Sequence, residues 1–345
     1  MLNYFIILFS IFIIVTGCAT NGRQIDNAQL TENPSIVWPP SPQKPRIKLI
    51  RIISGAHDMD IKKSWLKSVV TSLFGKEESE SNMLRPLGIF VQYGKIYVTD
   101  PGMFLVHIFD LKEQKYFQIE KANKDDLVSP IGIAVDANEE IFLSDSFLKR
   151  VIVLDKNGEY LRDIGSPELF ARPTGVALNK DRVYIIDTLA HQLLVFSKKN
   201  GNLLFRIGKN GSANGEFHYP THIFIGNNNL IYVTDSLNFR VQVFDTDGNF
   251  LSSFGKAGDA PGNFSKPKGI AVDSEDHIYI ADSEFDNVQI FDQSGKLLLV
   301  FGSSGSSHGK MSLPAGIFID DKDQIYVVDS YNRRIQIFQY LKADK

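Results

Sequence analysis

The sequence predicts an all-β fold, a six-bladed β-propeller closed by an N-terminal strand and carrying one inserted helix. Three observations lead there. A strand ending in Asp recurs six times, turn residues separate the strands, and the last unit lacks a strand that the N-terminal region supplies. A period of 40–50 residues made of β-branched and aromatic runs is the mark of a propeller blade.

The six Asp-ended strands are Ile96–Asp100, Ile141–Asp145, Val183–Asp187, Ile231–Asp235, Ile278–Asp282 and Ile325–Asp329, and their aspartates are spaced by 45, 42, 48, 47 and 47 residues. Each unit reads as four strands. In the fifth these are Gly269–Asp273, Ile278–Asp282, Val288–Asp292 and Leu297–Gly302. Hairpins such as Asp245-Thr246-Asp247-Gly248-Asn249 and Asp155-Lys156-Asn157-Gly158-Glu159 carry the glycine that a tight turn needs at positive φ. The sixth unit stops after its third strand, at Phe338. Arg46–Gly55 alternates like the other fourth strands and is expected to complete that blade, so that the terminal blades are not left unpaired. One segment breaks the pattern. Asp58–Phe74 spaces Ile61, Trp65, Val69 and Leu73 four apart, with lysines flanking and Gly75 as a stop, which predicts an amphipathic helix between a fourth strand and the next first strand.

Ahead of the repeats, Leu2–Val15 is almost wholly apolar, too short for a comfortable membrane span and suited to the core of a secretory signal. Val15-Thr16-Gly17-Cys18 follows, and Cys18 is the chain's single cysteine, so it cannot form an internal disulfide. These four residues resemble the bacterial lipobox. The resemblance implies a signal peptide at 1–17, a diacylglycerol thioether on Cys18, a membrane anchor and a place in the bacterial cell envelope. Ala19 after the cysteine implies the outer membrane if the host is Gram-negative. Residues 18–45 are polar and then proline-rich, which reads as a flexible tether to a domain at 46–340.

Asp235-Ser236-Leu237-Asn238-Phe239-Arg240-Val241-Gln242-Val243-Phe244 and Asp329-Ser330-Tyr331-Asn332-Arg333-Arg334-Ile335-Gln336-Ile337-Phe338 resemble the NHL repeat, as do the lead-ins Gly211–Pro220 and Gly255–Pro267. The likeness covers about 46–338 and is tightest in repeats four to six. It implies that the face bearing the loops between second and third strands, together with the inserted helix, is the binding surface. Those loops carry Met103, Phe104, Phe147, Leu148, Leu189, Leu237, Phe239, Phe285 and Tyr331 where polar residues are usual. An apolar crown of this kind suggests a partner surface. Trp65 of the inserted helix is placed on the same face, where the helix either covers the crown or helps to form it.

Catalytic and metal motifs are sparse. The chain contains no GxxxxGK[ST] or HExxH, and its seven histidines are scattered. Peptidyl-amidoglycolate lyase holds zinc on three channel histidines of a related propeller, whereas the six first-strand openings here offer only His222, a weak metal candidate. The calcium-binding carboxylate and Asn set of gluconolactonase-like propellers is not matched either. The Asp245 and Asp273 loops read as hairpin turns, since an EF-hand beginning at Asp245 would need Glu at position 256, which is Lys. The repeated Asp is expected to cap its loop and pair with Arg150, Arg240 or Arg334. A formal charge of −3 gives no reason to expect nucleic acid. No cofactor is called for. The reading is a lipid-anchored scaffold that binds an envelope protein or peptide, with polysaccharide as a further ligand class. A metal-dependent hydrolase or lyase at the channel mouth is the alternative.

Overall fold

The computed structural model describes residues 35–59 and 82–342. The signal segment, Cys18, the first part of the tether, and most of the inserted helix, Trp65 included, lie outside the described residues.

Every blade is an antiparallel meander of four strands. Blade one comprises Ile89–Gln92, Lys95–Asp100, Leu105–Asp110 and Lys115–Ile119. Blade two comprises Pro130–Val135, Ile141–Asp145, Arg150–Leu154 and Tyr160–Ile164. Blade three comprises Pro173–Leu178, Arg182–Asp187, Gln192–Ser197 and Leu203–Ile207. Blade four comprises Pro220–Ile225, Ile231–Asp235, Arg240–Phe244 and Phe250–Phe254. Blade five comprises Pro267–Val272, Ile278–Asp282, Asn287–Phe291 and Leu297–Phe301. Blade six takes Pro314–Ile319, Gln324–Asp329 and Arg334–Tyr340 from the end of the chain. Its fourth strand is Ile47–Ile53, paired antiparallel so that Ile47 faces Tyr340 and Ile53 faces Ile335. The six-bladed fold and its closing strand are therefore as the sequence predicts.

The second and third strands are buried almost throughout, because both of their faces pack against neighbouring blades. Apolar runs such as Val183-Tyr184-Ile185-Ile186 suit that position, since a strand covered on both sides has no polar face to present. The fourth strands are exposed or half-buried over most of their length, as expected of an outer edge.

Hydrogen bonds tie consecutive blades. Thr99 Oγ1 donates to the Ile131 carbonyl at 2.7 Å, Ser144 Oγ to Thr174 at 2.6 Å, Thr188 Oγ1 to Pro220 at 2.7 Å and Ser236 Oγ to Pro267 at 2.8 Å. Ser274 Oγ donates to Asp323 across the five–six junction at 2.8 Å, and the Gly316 amide donates to the Leu87 carbonyl at 2.9 Å where blade six meets blade one.

The proposed tether needs a correction at its C-terminal end. Val37–Trp38 adds a fifth strand outside Ile47–Ile53, pairing Val37 with Lys48 and Trp38 with Ile47. The Trp38 ring meets Phe301 at 5.8 Å and Phe338 at 5.7 Å between centroids. The sequence around it is proline-rich, which argues for an extended spacer, but a large aromatic ring reaching an apolar groove outweighs local composition. The compact unit that contains the propeller thus begins at Ile36 rather than Arg46. Of the predicted helix, the described part is a short 3-10 turn at Ala56–Met59, and Gly55 and Asn82 bridge each other where the insertion leaves and rejoins the blade.

Replacing Trp38 with Ala is expected to lower unfolding stability by about 2 kcal/mol, the cost of an aromatic truncation at a half-buried site. Urea unfolding followed by intrinsic fluorescence and circular dichroism would check it. An unchanged midpoint would mean that the strand at 37–38 adds nothing to closure.

Candidate functional site: the crown and the axial channel

In a four-stranded meander the loops between second and third strands share one face with the connections between blades. The remaining hairpins lie on the other face. The first face carries the crown. At the end of each second strand sits an Asp whose side chain is wholly buried: Asp100, Asp145, Asp187, Asp235, Asp282 and Asp329. A buried carboxylate is tolerated only when its lone pairs are filled. Asp145 accepts the amides of Val128 and Ser129 from the incoming connection at 2.8 and 3.0 Å, and those of Phe147 and Leu148 from its own loop at 3.1 and 3.0 Å. Asp282 accepts Ser265, Lys266, Glu284 and Phe285 in the same pattern.

The arginine partners follow expectation in two of three places. Arg240 Nε donates to Asp235 at 2.8 Å and Arg334 Nε to Asp329 at 2.7 Å, with Gln242 and Gln336 adding a further donor each. Arg150 does not reach Asp145. It forms a bidentate pair with Asp163 on the outer strand and a further bond to Asp125, because four amides already fill Asp145. In blade one His107 stands where the glutamines stand, with Nε2 3.3 Å from Asp100 and Nδ1 2.7 Å from the Tyr116 hydroxyl. Burial pushes the Asp100 carboxyl up, but the bonds from His107, Leu84 and Arg85 outweigh it and hold the group below the usual carboxylate range.

The fifth residue of every crown stretch, counting the Asp as the first, is left-handed without being glycine: Phe104 (φ 59), Lys149 (φ 53), His191 (φ 57), Phe239 (φ 55), Asp286 (φ 53) and Arg333 (φ 56). Each conformation costs free energy for an L residue and is held by the bonds around the buried Asp. The loops consequently present their apolar side chains outward. Phe147 is 72% exposed, Tyr331 71% and Phe104 55%, and Leu189 and Leu237 are also exposed. Phe239 and Phe285 are half-buried, and Phe239 packs against the cluster between blades four and five. Sequence reasoning missed Leu84 and Leu313, exposed on the connections of the same face. Leu313 directly precedes its strand-opening proline, a position at which every repeat could have been compared.

The first strands surround an axial channel of about 980 Å3. It opens on the hairpin face past Tyr93, Asn227 and Lys322, and its walls mix apolar side chains with polar ones such as Gln92 and Asp273; Phe90 and Phe318 are in contact at 4.7 Å between ring centroids. Toward the crown it is lined by Gly88, Gly132, Gly175 and Gly316. A Cβ on Gly88 would lie 2.2 Å from the Ile131 carbonyl oxygen and one on Gly132 would lie 2.0 Å from that of Thr174, so the inner strands approach this closely only without side chains. His222 alone breaks the glycine pattern among the first strands of blades one to six. It lines the crown end of the channel, and its Nδ1 is buried without a hydrogen-bond partner among the described residues. Burial, with the nearby Lys268 charge adding to it, pushes the imidazole down to about 3. No group of three or more His, Cys, Asp or Glu side chains placed to hold a metal ion occurs among the described residues. The Asp245 carboxylate is occupied by the amides of Asp247 and Asn249 at 3.0 and 2.9 Å, the arrangement of a hairpin turn.

Because unfolding restores an ordinary imidazole near 6.5, the unfolded chain takes up a proton between pH 6.5 and about 3 that folded His222 refuses. Its contribution to stability is thus complete above pH 6.5 and is lost as pH falls through that window. His222→Gln is expected to flatten the fall of the urea midpoint between pH 7 and pH 4.5. An identical slope in both proteins would refute the buried neutral imidazole.

Comparison with known proteins agrees with this geometry. A family model described as a 6-bladed beta-propeller matches residues 166–236 and 227–288, and the NHL repeat model matches 311–338. Protein brain tumor of Drosophila melanogaster is 28% identical over 135 residues, spanning 37% of this chain but only 13% of that protein. Among solved structures, an auxiliary nutrient binding protein from Bacteroides thetaiotaomicron superposes with a TM-score of 0.59 at 13% identity, covering 75% of this chain and 70% of that one. Virginiamycin B lyase from Staphylococcus aureus gives 0.54 at 13% identity, covering 74% and 95%. At such identities the likeness is one of fold. The chain is a six-bladed β-propeller built of NHL repeats.

Proposed function

We propose that the protein is a lipid-anchored scaffold of the bacterial cell envelope that binds a protein or peptide on its crown. The observation that supports this best is the exposure of Phe104, Phe147, Leu189, Leu237 and Tyr331 on one face. Other exposed apolar side chains exist, but Leu161, Leu204, Leu251 and Leu298 sit singly on the outer strands, a blade's width apart. Grouped apolar residues on rigidly held loops are the anatomy of an interaction surface. Polysaccharide stacking on Phe147 and Tyr331 is the nearest variant of the same reading. The hydrolase or lyase alternative is less well supported, since the charge closest to His222 is the cation Lys268, which opposes a metal ion at that imidazole.

The anchor rests on Cys18 and the apolar run before it. Cys18→Ser expressed in a bacterial host is expected to lose incorporation of labelled palmitate and to leave the membrane fraction. Retained label on the variant would defeat the lipobox assignment.

The crown is tested by placing a photo-crosslinking residue at Phe147 or Tyr331 in envelopes, with exposed Tyr93 on the hairpin face as control. Capture of a discrete protein from the crown positions is expected. The double change Phe147→Ser and Tyr331→Ser should reduce capture at least about tenfold with little change in melting temperature, as for central interface residues. Capture from position 93 alone would place the binding surface on the other face.

A further inference from the structure

The axial end of the crown carries cations for which the apolar loops give no reason. The residue before the strand-opening proline is Arg85, Arg172 and Lys266 in blades one, three and five, and Ser129, Tyr219 and Leu313 in the blades between. Alternate blades of a six-fold ring place the three cations at roughly threefold spacing about the axis. Their amides are fixed by the buried aspartates: Arg85 to Asp100 at 2.9 Å, Arg172 to Asp187 at 2.8 Å and Lys266 to Asp282 at 3.0 Å. Their side chains are exposed. Lys268, just past Pro267, is half-buried, and burial together with the charges of Lys266 and Arg85 lowers its ammonium below the usual lysine range. Beneath it, on the neighbouring blade, lies the unpartnered Nδ1 of His222.

Several cations farther out on this face find carboxylates, although Lys149 and Arg333 make no ion pair among the described residues. Arg150 pairs with Asp163 at 2.9 Å, Lys209 with Glu216 at 3.2 Å, Arg240 with Asp235 at 2.8 Å and Arg334 with Asp329 at 2.7 Å. The four around the axis form no ion pair among the described residues. The acidic residues on the crown loop of blade five leave them unpaired: Asp286 accepts the Leu313 amide at 2.7 Å, and Glu284 makes no ion pair among the described residues. A protein of net charge −3 thus keeps four unpaired like charges around the axial end of one face, where Lys268 feels the repulsion of Lys266 and Arg85 and a positive potential is focused. An unpaired, half-buried cation lowers stability, a cost usual at binding sites and relieved when an anion arrives.

We propose that Arg85, Arg172, Lys266 and Lys268 form a collar for the carboxylates of an acidic peptide segment, whose flanking apolar side chains rest on Phe104, Phe147 and Tyr331. This rests on the crown reading above and names the chemistry of its partner. A ring of cations about the axis, inside an apolar crown, suits two or three carboxylates bracketed by hydrophobic residues. A nucleic-acid strand needs a positive track along its backbone.

The test uses the full chain in detergent and two fluorescent peptides, one with three consecutive glutamates between leucines and its twin with glutamines. The acidic peptide should bind about tenfold or more tightly than the twin, with a preference that weakens as salt rises. Lys266→Gln with Lys268→Gln should abolish the preference, while Lys149→Gln, at the rim of the same face, should preserve it. The melting temperature of Lys268→Gln should equal or exceed that of the parent, which also shows that the variant folds. Equal affinity for both peptides, a preference that survives the double lysine change, or displacement of the acidic peptide by a lower concentration of single-stranded oligonucleotide would each overturn the collar. If the acidic preference fails while photo-capture at Phe147 persists, the collar falls and the scaffold stands. If benzene-1,3,5-tricarboxylate binds in a Lys268-dependent way but photo-capture at the crown fails, the scaffold reading falls, and with it the peptide as occupant.

Discussion

The buried Asp that ends each second strand is the constraint on which the rest of this propeller depends. A carboxylate taken out of water must be repaid in hydrogen bonds, and the nearest donors are amides of the connection arriving from the previous blade and of the loop just beginning. Satisfying Asp145 or Asp282 therefore fixes two loops from different parts of the repeat at one point. Where the loop amides are not used in this way, side chains complete the shell. Asn238, Arg240 and Gln242 do so for Asp235, and Asn332, Arg334 and Gln336 do so for Asp329. The same arginines reach beyond their Asp to carbonyls of the lead-in, as Arg334 does to Ser307 and Lys310 at 2.9 and 2.8 Å. Blades therefore differ in how they meet one requirement. Their crown loops keep one shape, with a left-handed residue at the same position in all six.

From that anchor the inner ring follows. The residue after the Asp in blades three and four is a hydroxyl that donates to the first-strand proline carbonyl of the next blade, so the device that shapes the crown also spaces the blades. Drawn this close, the first strands have no room for a Cβ at Gly132 or Gly316. These glycines line the crown end of the channel. His222 and Lys268 are exceptions to this regularity. A glycine or small apolar residue would fit the repeat better at either place, and each carries a polar atom that the fold itself does not satisfy.

Much of this was legible in the sequence because repetition amplifies weak signals. One strand ending in Asp says little, whereas six at a near-constant interval specify blade count, strand order and the missing fourth strand at 47–53. Features that occur once were harder to read. Trp38 sits among prolines, and nothing in its own repeat position says that its ring reaches Phe301 and Phe338 on the last two blades. Arg150 occupies the place of Arg240 and Arg334, yet turns to Asp163 because the amides had already filled Asp145, a competition visible only in three dimensions. The crown residues Phe147 and Tyr331 were legible as apolar outliers in polar loops. The cations at Arg85, Arg172, Lys266 and Lys268 were not, because they lie on connections of unequal length, and only the fold brings alternate blades around one axis.

The two faces of the disc obey different rules, and the difference bears on function. On the hairpin face several charges are matched locally: Lys95 with Glu139 at 2.6 Å, Lys198 with Asp136 at 3.0 Å, Arg162 with Glu140 at 2.8 Å. On the crown several terms run against stability together. Bulky residues such as Phe104 hold left-handed backbone, large apolar side chains stand in water, and like charges cluster unpaired. None of these is needed to close a propeller: the hairpin face also holds left-handed residues such as Tyr93, yet it exposes few large apolar side chains. A sequence selected only to fold would lose such costs one at a time, because each can be removed by a single substitution without touching the buried aspartates. Their concentration on one face, above a framework of six carboxylates that holds the loops in place, is what a surface shaped by binding requires.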